Sequence, residues 1–361
     1  SGTFADTVDS NFHLADENDK RTIYLVDMHE PLMFLHNLET TIKEPFASNP
    51  AVLDAVEKNH KKLQIAMTKL YPGNLVLSLS SGIMYHRLVD RITALNDVPR
   101  EPLVPRRLGK NMCVPFGKIL RGKVVPNTVT KTLHTDKVYE PDLNSFTIEP
   151  FPYYSPLKSQ IETIKSFDRP VILVDDLVHT ANRLQVLVPQ LREDGIPIKK
   201  VVVGVLSGYG RDLMQCLKVP VESIYSMPNL RQWFVESTLY PFIGGDTVRR
   251  EEMKVAGLQP SINMILPYAT PRLSGCSREA LVEFSACCIE NSRDLFQVLE
   301  AEYRKMYAKN LTLSRLSEAV ILPLCPDKGS CMEYDENLAA SVYLENDLET
   351  LWRMKEFLIK G

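Results

Sequence analysis

The sequence predicts an α/β protein: a mostly parallel sheet with helices on both faces, preceded by an N-terminal helical extension and followed by a mainly helical C-terminal region. Two observations carry this. From Asn74 to Tyr225 short runs rich in β-branched residues alternate with helical stretches, the rhythm of βαβ units. Such alternation argues for a mostly parallel sheet covered on both faces. Composition agrees. The 361 residues are 44% hydrophobic and 24% charged, near the globular average, which argues against collagen-like, low-complexity and coiled-coil classes. The length suggests two domains or one large domain with elaborations.

Residues 1–20 are polar and read as loose. Ile23 to Val26 reads as a short strand ending in Asp27-Met28-His29-Glu30. Helical patterns follow over Pro31–Ile42 and Pro50–Leu70, the second with Val52, Val56, Leu63 and Met67 on one face. The predicted strands are Leu75–Leu79, Met112–Val114, Phe146–Ile148, Val171–Val174, Val201–Leu206 and Ser223–Tyr225. Between them lie helical stretches Ile83–Leu95, Leu157–Phe167, Leu184–Glu193 and Arg211–Leu217, the third stopped by Gly195-Ile-Pro197. After Gly244-Gly245 the pattern changes, and Ser277–Ala308 and Asn346–Ile359 read as long helices. The expected division is a mainly helical N-terminal extension (1–65), an α/β core (66–250) and a helical C-terminal region (251–361).

Net charge is −3, from 42 basic and 45 acidic residues, which argues against nucleic acid as the main partner. The distribution is uneven. Between Arg100 and Lys137 nine basic residues face only Glu101 and Asp136, a local +7 against −10 elsewhere. Such a stretch suggests one polyanion site rather than a coated surface. Seven cysteines, odd in number and without a C-x-x-C pair, argue against a disulfide framework or zinc ribbon and fit a reducing, cytoplasmic setting. Cys287–Cys288 reads as part of an apolar helix face. No apolar run reaches a membrane span and no signal peptide is visible, so no membrane partner is expected. The start at Ser1-Gly2, without methionine, is compatible with an upstream domain that this chain lacks.

The strongest chemical signal is Val171-Ile-Leu-Val-Asp-Asp-Leu-Val-His-Thr-Ala-Asn-Arg-Leu184. A buried strand here ends in two carboxylates, at the edge where open parallel sheets bind ligands. The loop through Thr180 opens a helix whose free N–H groups and dipole favour an anion. Carboxylates beside a phosphate cradle suit a ligand with adjacent hydroxyls and a phosphate, such as a ribose phosphate. Asp175 and Asp176 need not point the same way, because successive strand residues face opposite sides. Taken alone, a doubled aspartate after a strand can equally cap the next helix.

This stretch resembles the phosphoribosyl-pyrophosphate signature of type I phosphoribosyltransferases, and the resemblance covers roughly residues 66–250. In that family the two acidic residues hold the sugar diol and the following loop binds the 5-phosphate, here His179, Thr180, Ala181, Asn182 and Arg183. An earlier strand-to-helix loop takes the pyrophosphate, matched by Ser80-Ser81-Gly82. A basic mobile loop between the two closes over the pyrophosphate, matched by Thr130–Lys137, with Lys131, His134 and Lys137 as its cations. The resemblance implies a Mg²⁺ cofactor reached through water by Asp175 and Asp176. It also implies a phosphorylated ribose or nucleotide ligand, and displacement of pyrophosphate from ribose C1. The acceptor would meet a hood around Tyr209 or residues 233–246.

Departures from the family pattern are visible. Ala181, Asn182 and Arg183 stand where small residues, often two glycines, are usual, and the pyrophosphate loop lacks the customary basic residue beside its glycine. A non-catalytic phosphoribosyl or nucleotide sensor on the same fold therefore stands as the alternative to an enzyme. The C-terminal helices would form a homodimer interface or dock a missing domain. Other constellations have simpler readings. Gly208-Tyr-Gly210 begins like a dinucleotide fingerprint, but Leu213 replaces the third glycine. Asp27, His29 and Glu30 could ligate a metal but also suit the start of a helix. His86 reads as structural, and Asn310-Leu-Thr312 matches a glycosylation acceptor only formally.

Overall fold

A computed structural model describes residues 12–14, 22–25, 30–98, 107–252, 254–271, 273–329 and 333–360. Asp27, His29, Arg100, Glu101, Arg106 and Cys331 lie outside the described residues. The strands are β1 (Phe12–Leu14), β2 (Ile23–Leu25), β3 (Leu32–His36), β4 (Val76–Ser80), β5 (Met112–Pro115), β6 (Thr135–Tyr139), β7 (Phe146–Pro150), β8 (Val171–Val178), β9 (Ile198–Ser207), β10 (Val221–Met227), β11 (Gln232–Val235), β12 (Asp246–Val248), β13 (Gln259–Ile262) and β14 (Leu324–Pro326). The α-helices are α1 (Pro50–Leu70), α2 (Ser81–Leu95), α3 (Leu157–Ser166), α4 (Asn182–Glu193), α5 (Gly208–Leu217), α6 (Arg278–Tyr307) and α7 (Ala340–Lys360). No described helix is long and apolar enough to cross a membrane.

Contacts group the chain into two units, each drawn from three separate stretches. Unit 1 takes Ser1–Met33, Leu77–Lys137 and Thr147–Gln232; unit 2 takes Phe34–Val76, Val138–Phe146 and Trp233–Gly361. The linear boundaries at 65/66 and 250/251 do not coincide with the points where the chain passes between units.

Unit 1 is an α/β sandwich. Its sheet runs β1-β2-β10-β9-β8-β5, with every neighbouring pair from β2 to β5 parallel and β1 antiparallel at the edge. The β-branched runs explain the centre. Val171–Val174 of β8 and Val201–Val203 of β9 are fully buried, with Val174 opposite Val202 and Asp175 opposite Val203. The pleat divides these side chains between two faces. Val171, Leu173, Val201 and Val203 join Ile161 and Ile164 of α3 and Leu184, Leu187 and Leu191 of α4 in one core. Gly204 lies on the other face, where a Cβ would stand 2.0 Å from Met84 Sδ of α2 and 2.7 Å from the Asp176 carbonyl oxygen, so the strand pair leaves no room for a side chain there. Helices on both faces of a parallel sheet are what the alternating pattern predicted.

Three expectations are corrected. Pro31–Ile42, predicted helical, is strand β3 followed by a 3₁₀ turn over Leu38–Thr41. Four consecutive fully buried residues, Leu32 to Leu35, satisfy a central strand better than an amphipathic helix. Predicted strands Leu75–Leu79 and Phe146–Ile148 form as β4 and β7 but join other sheets, ordered β11-β3-β4 and β14-β13-β12-β6-β7. Periodicity marks a strand without naming its neighbour.

Unit 2 is built around α1, α6 and α7. Helix α1 starts at Pro50 behind Asn49, whose side chain accepts from the Ala51 and Val52 amides. Its predicted stripe of Val52, Val56, Leu63 and Met67 is buried. Asn59 Nδ2 donates to the Asn291 carbonyl at 2.8 Å and Asn291 Nδ2 returns a bond to the Asn59 carbonyl at 3.1 Å, fixing α1 against α6. Ser277 caps α6, and Glu300 of α6 accepts from Ser341 at the start of α7.

Candidate functional site

The candidate site of unit 1 begins at the C-terminal end of β8. By strand alternation Asp175 continues the face of Val171 and Leu173, while Asp176 continues the face toward α2. Asp175 Oδ1 lies 3.6 Å from Arg183 Nη1, and the pKa of Tyr85 of α2 is raised by its own burial and by the nearby charges of both Asp176 and Asp175. Asp175 is buried, and desolvation holds its carboxyl well above the usual range against the opposing pull of Arg183. Its Oδ1 also accepts from the Asp176 amide at 2.9 Å.

Beyond β8 the chain turns through His179, Thr180 and Ala181 into α4. Ala181 adopts φ 52° and ψ 24°, the left-handed conformation usually left to glycine or asparagine. The special backbone thus falls at Ala181, one residue before Asn182. Asn182 Nδ2 instead donates to Thr180 Oγ1 at 3.0 Å, and Gln185 Nε2 donates to the Thr180 carbonyl at 3.3 Å. His179 turns toward the β9–α5 corner. Its Nδ1 is 2.7 Å from Ser207 Oγ, its ring stands edge-on to Tyr209 at 5.8 Å, and burial pushes its basicity down.

Ser207 also accepts from the Gly210 amide at 3.0 Å and so caps α5. The Gly208-Tyr-Gly210 motif has a packing cause, since a Cβ on Gly210 would sit 2.2 Å from the Val178 carbonyl oxygen. It is the close approach of α5 to β8, not a dinucleotide fingerprint.

The cationic segment is paired backbone rather than the loop that Thr130–Lys137 was expected to form. The Lys131 amide donates to the Cys113 carbonyl at 3.0 Å, Leu133 to Pro115 at 2.9 Å, and Thr135–Tyr139 is β6. β5 is the end strand of its sheet, and this segment continues its ladder through bridges from Thr130 to Cys113 and from Leu133 to Phe116. Buried Gln160 clamps His134, accepting from its amide at 2.8 Å and donating to its carbonyl at 3.1 Å. The His134 ring stacks on Tyr154 at 3.9 Å. Burial first, then Lys131 and Arg121, hold its pKa below the ordinary value. The Lys137 amide donates to Asp136 Oδ1 at 2.9 Å.

Phe116 and Gly117 join these two halves. The Phe116 amide donates to the Val174 carbonyl at 3.0 Å, and Arg183 lies 5.8 Å over the Phe116 ring. A Cβ on Gly117, at φ +57°, would stand 3.6 Å from the Thr135 carbonyl and 3.9 Å from Arg183 Nη1. Asp175, Arg183 and the start of β6 therefore meet at one turn. Ser80-Ser81-Gly82 opens α2 one turn before Tyr85, with Ser81 buried and Ser80 and Gly82 exposed. The first turns of α2 and α4, like that of α3, have no side-chain cap, which leaves N–H groups available to an anion.

Sequence reasoning passed over Tyr85, Phe116, Gln160 and Ser207. Each acts through a partner distant in sequence. The available local signal was weak: a tyrosine one turn into a predicted helix, and a Phe-Gly pair directly after a predicted strand.

No family model matches the chain, and no curated protein matches it. Among solved structures, the purine phosphoribosyltransferase from Pyrococcus horikoshii Ot3 aligns at 14% identity over 43% of this chain and 87% of its own, with a TM-score of 0.24. The AQ2163 protein from Aquifex aeolicus aligns at 18% identity over 49% of this chain and 85% of its own, with a TM-score of 0.27.

Proposed function

We propose that unit 1 binds a phosphoribosyl ligand, phosphoribosyl pyrophosphate or a nucleotide, and acts on the bond at ribose C1. One observation carries this reading: a parallel strand, Val171–Val178, carries Asp175-Asp176 near its C-terminal end and passes through a left-handed residue at Ala181 into an uncapped helix. That places carboxylates for a diol next to N–H groups for a phosphate. In the reaction the C1–oxygen bond to pyrophosphate breaks, both electrons leave with the pyrophosphate, and an acceptor or water attacks the cationic ring. Asp175 and Asp176 hold the ribose hydroxyls, and the Asp176 carboxylate favours the developing positive charge. Lys131 and Lys137 neutralise the leaving group and His134, whose basicity burial lowers, offers it a hydrogen bond, a kind of preorganised contribution worth about 3–4 kcal/mol per donor.

Hard oxygen donors suit Mg²⁺. Asp175 is already paired with Arg183, so Asp176 is the better placed to hold the ion through water, and the ion would neutralise phosphate charge. The test is thermal unfolding with phosphoribosyl pyrophosphate and Mg²⁺. Tm rises in the unmutated chain, and the rise disappears in Asp175→Asn/Asp176→Asn. Absence of a shift with every phosphoribosyl ligand tried in the unmutated chain overturns the reading.

The Arg183–Asp175 pair favours a second reading, a sensor or regulatory subunit that binds the ligand without turnover. A guanidinium on the carboxylate occupies the group that would stabilise a cationic ring. Pyrophosphate release across purine, pyrimidine and orotate-like acceptors, and with water alone, separates the two: release supports the enzyme, whereas a ligand-induced Tm rise without release supports the sensor.

A further inference from the structure

Unit 2 contains a second constellation, unconnected with the residues above. His36 closes β3, His60 lies on α1, and Glu236 begins the 3₁₀ turn after β11. One ligand atom from each lies within 4.8 Å of the others. His60 Nε2 is 2.5 Å and His36 Nδ1 3.5 Å from the same oxygen, Glu236 Oε2. Glu236 is fully buried, yet none of these three atoms makes a geometrically acceptable hydrogen bond. Two nitrogens and a carboxylate oxygen crowd together without satisfying one another. A buried carboxylate oxygen left so is costly unless a cation completes it.

We propose that His36, His60 and Glu236 bind a divalent transition metal of the zinc class, with a further coordination position open to water or an exogenous oxygen ligand. The donor set selects the metal. Two imidazoles and one carboxylate suit zinc, whereas magnesium and calcium prefer all-oxygen sets. Three protein ligands are the number found in zinc sites that keep a position open. The two imidazoles retain side-chain exposures of 16% and 21%, so that position is reached from their side.

The supporting groups are those a metal site needs to orient its ligands. Glu236 Oε1 accepts from the Leu38 amide at 3.1 Å, which fixes the carboxylate and leaves Oε2 for the ion. Asn37 accepts from the Ser237 amide at 2.8 Å and donates to Ser237 Oγ at 2.9 Å, locking the residues beside His36 and Glu236 together. The reciprocal Asn59–Asn291 bonds hold the α1 residue next to His60. Gly244 is required by the same turn, because a Cβ there would meet the Ser237 carbonyl at 2.2 Å.

The experiment uses the full chain without an affinity tag, treated with chelator and then titrated with Zn²⁺ or Co²⁺. One equivalent of Zn²⁺ binds, and Co²⁺ gives visible d–d bands without a thiolate-to-metal band. His36→Ala and His60→Ala, checked for fold by circular dichroism, each weaken Zn²⁺ binding by more than the roughly 10–100-fold expected for the supporting variant Asn37→Ala. Absence of stoichiometric binding in the unmutated chain overturns the proposal, as does a thiolate band, which would place the metal on cysteines. Binding undiminished in both folded histidine variants also overturns it. The phosphoribosyl-dependent Tm rise stays unchanged in these variants, so the two sites stand or fall separately.

Discussion

Arg183 is where unit 1 departs most clearly from a simple diol-and-phosphate site. Its guanidinium lies 3.6 Å from Asp175 and over the Phe116 ring, so a residue anticipated as a phosphate ligand is held against the carboxylate. Arg183→Gln keeps a polar side chain and removes the charge. If Arg183 serves the phosphate, the variant binds a phosphoribosyl ligand at least about tenfold more weakly, a loss of about 1.4 kcal/mol measured by calorimetry. Asp175 supplies a second test. Its folded-state pKa is raised, chiefly by burial, so its contribution to stability is present below the usual carboxylate range and is lost as pH rises through the raised value. Asp175→Asn abolishes that loss. Its stability relative to the unmutated chain, followed by urea midpoint, therefore increases from acid to mildly alkaline pH, and a flat difference contradicts the assignment. The identity of both aspartates was legible from four apolar residues followed by two acids. The strand period alone does not place them, since both carboxylates act on Tyr85, and the Arg183 pairing depends on the turn between β8 and α4.

At the scale of elements, β8 and α4 were legible because local pattern and tertiary role agree. The loop joining them was not, because its conformation is set by backbone. Ala181 sits at φ 52°, where a non-glycine residue costs about 1–2 kcal/mol. Glycine removes that strain but costs about 0.5–1 kcal/mol in unfolded-state freedom. Ala181→Gly is therefore expected to stabilise the chain by up to about 1 kcal/mol in urea unfolding, with no loss of phosphoribosyl binding. Gly210 has the opposite response. The Val178 carbonyl leaves no room for a methyl, so Gly210→Ala costs about 1–3 kcal/mol in the same assay. The misread of Pro31–Ile42 has a related cause. A continuously buried run does not distinguish strand from helix by period alone, and with the strand missed, His36 did not stand out as a ligand beside His60 and Glu236.

For the whole molecule, sequence order and spatial grouping diverge. Composition shifts mark where the pattern changes, whereas the units are made by pairings such as Asn59 with Asn291, which are 232 residues apart. The six-stranded sheet has the same property: β2 pairs with β10, Ile23 opposite Tyr225, so the edge of the α/β unit is completed by residues from the start of the chain. A fragment cut at 66–250 would keep β5, β8, β9 and β10 but lose β2, baring the β10 edge. It would also carry residues 66–76, 138–146 and 233–250, which belong to unit 2, without α6 and α7 to cover them. Exposed strand edges and uncovered apolar faces promote self-association. Size-exclusion chromatography with light scattering is therefore expected to find this fragment associated, and its urea transition broader and lower than that of the full chain. A monomeric fragment with a sharp transition at the same midpoint would show instead that residues 66–250 contain all that the α/β fold requires, and that β1, β2 and the long helices are additions to it.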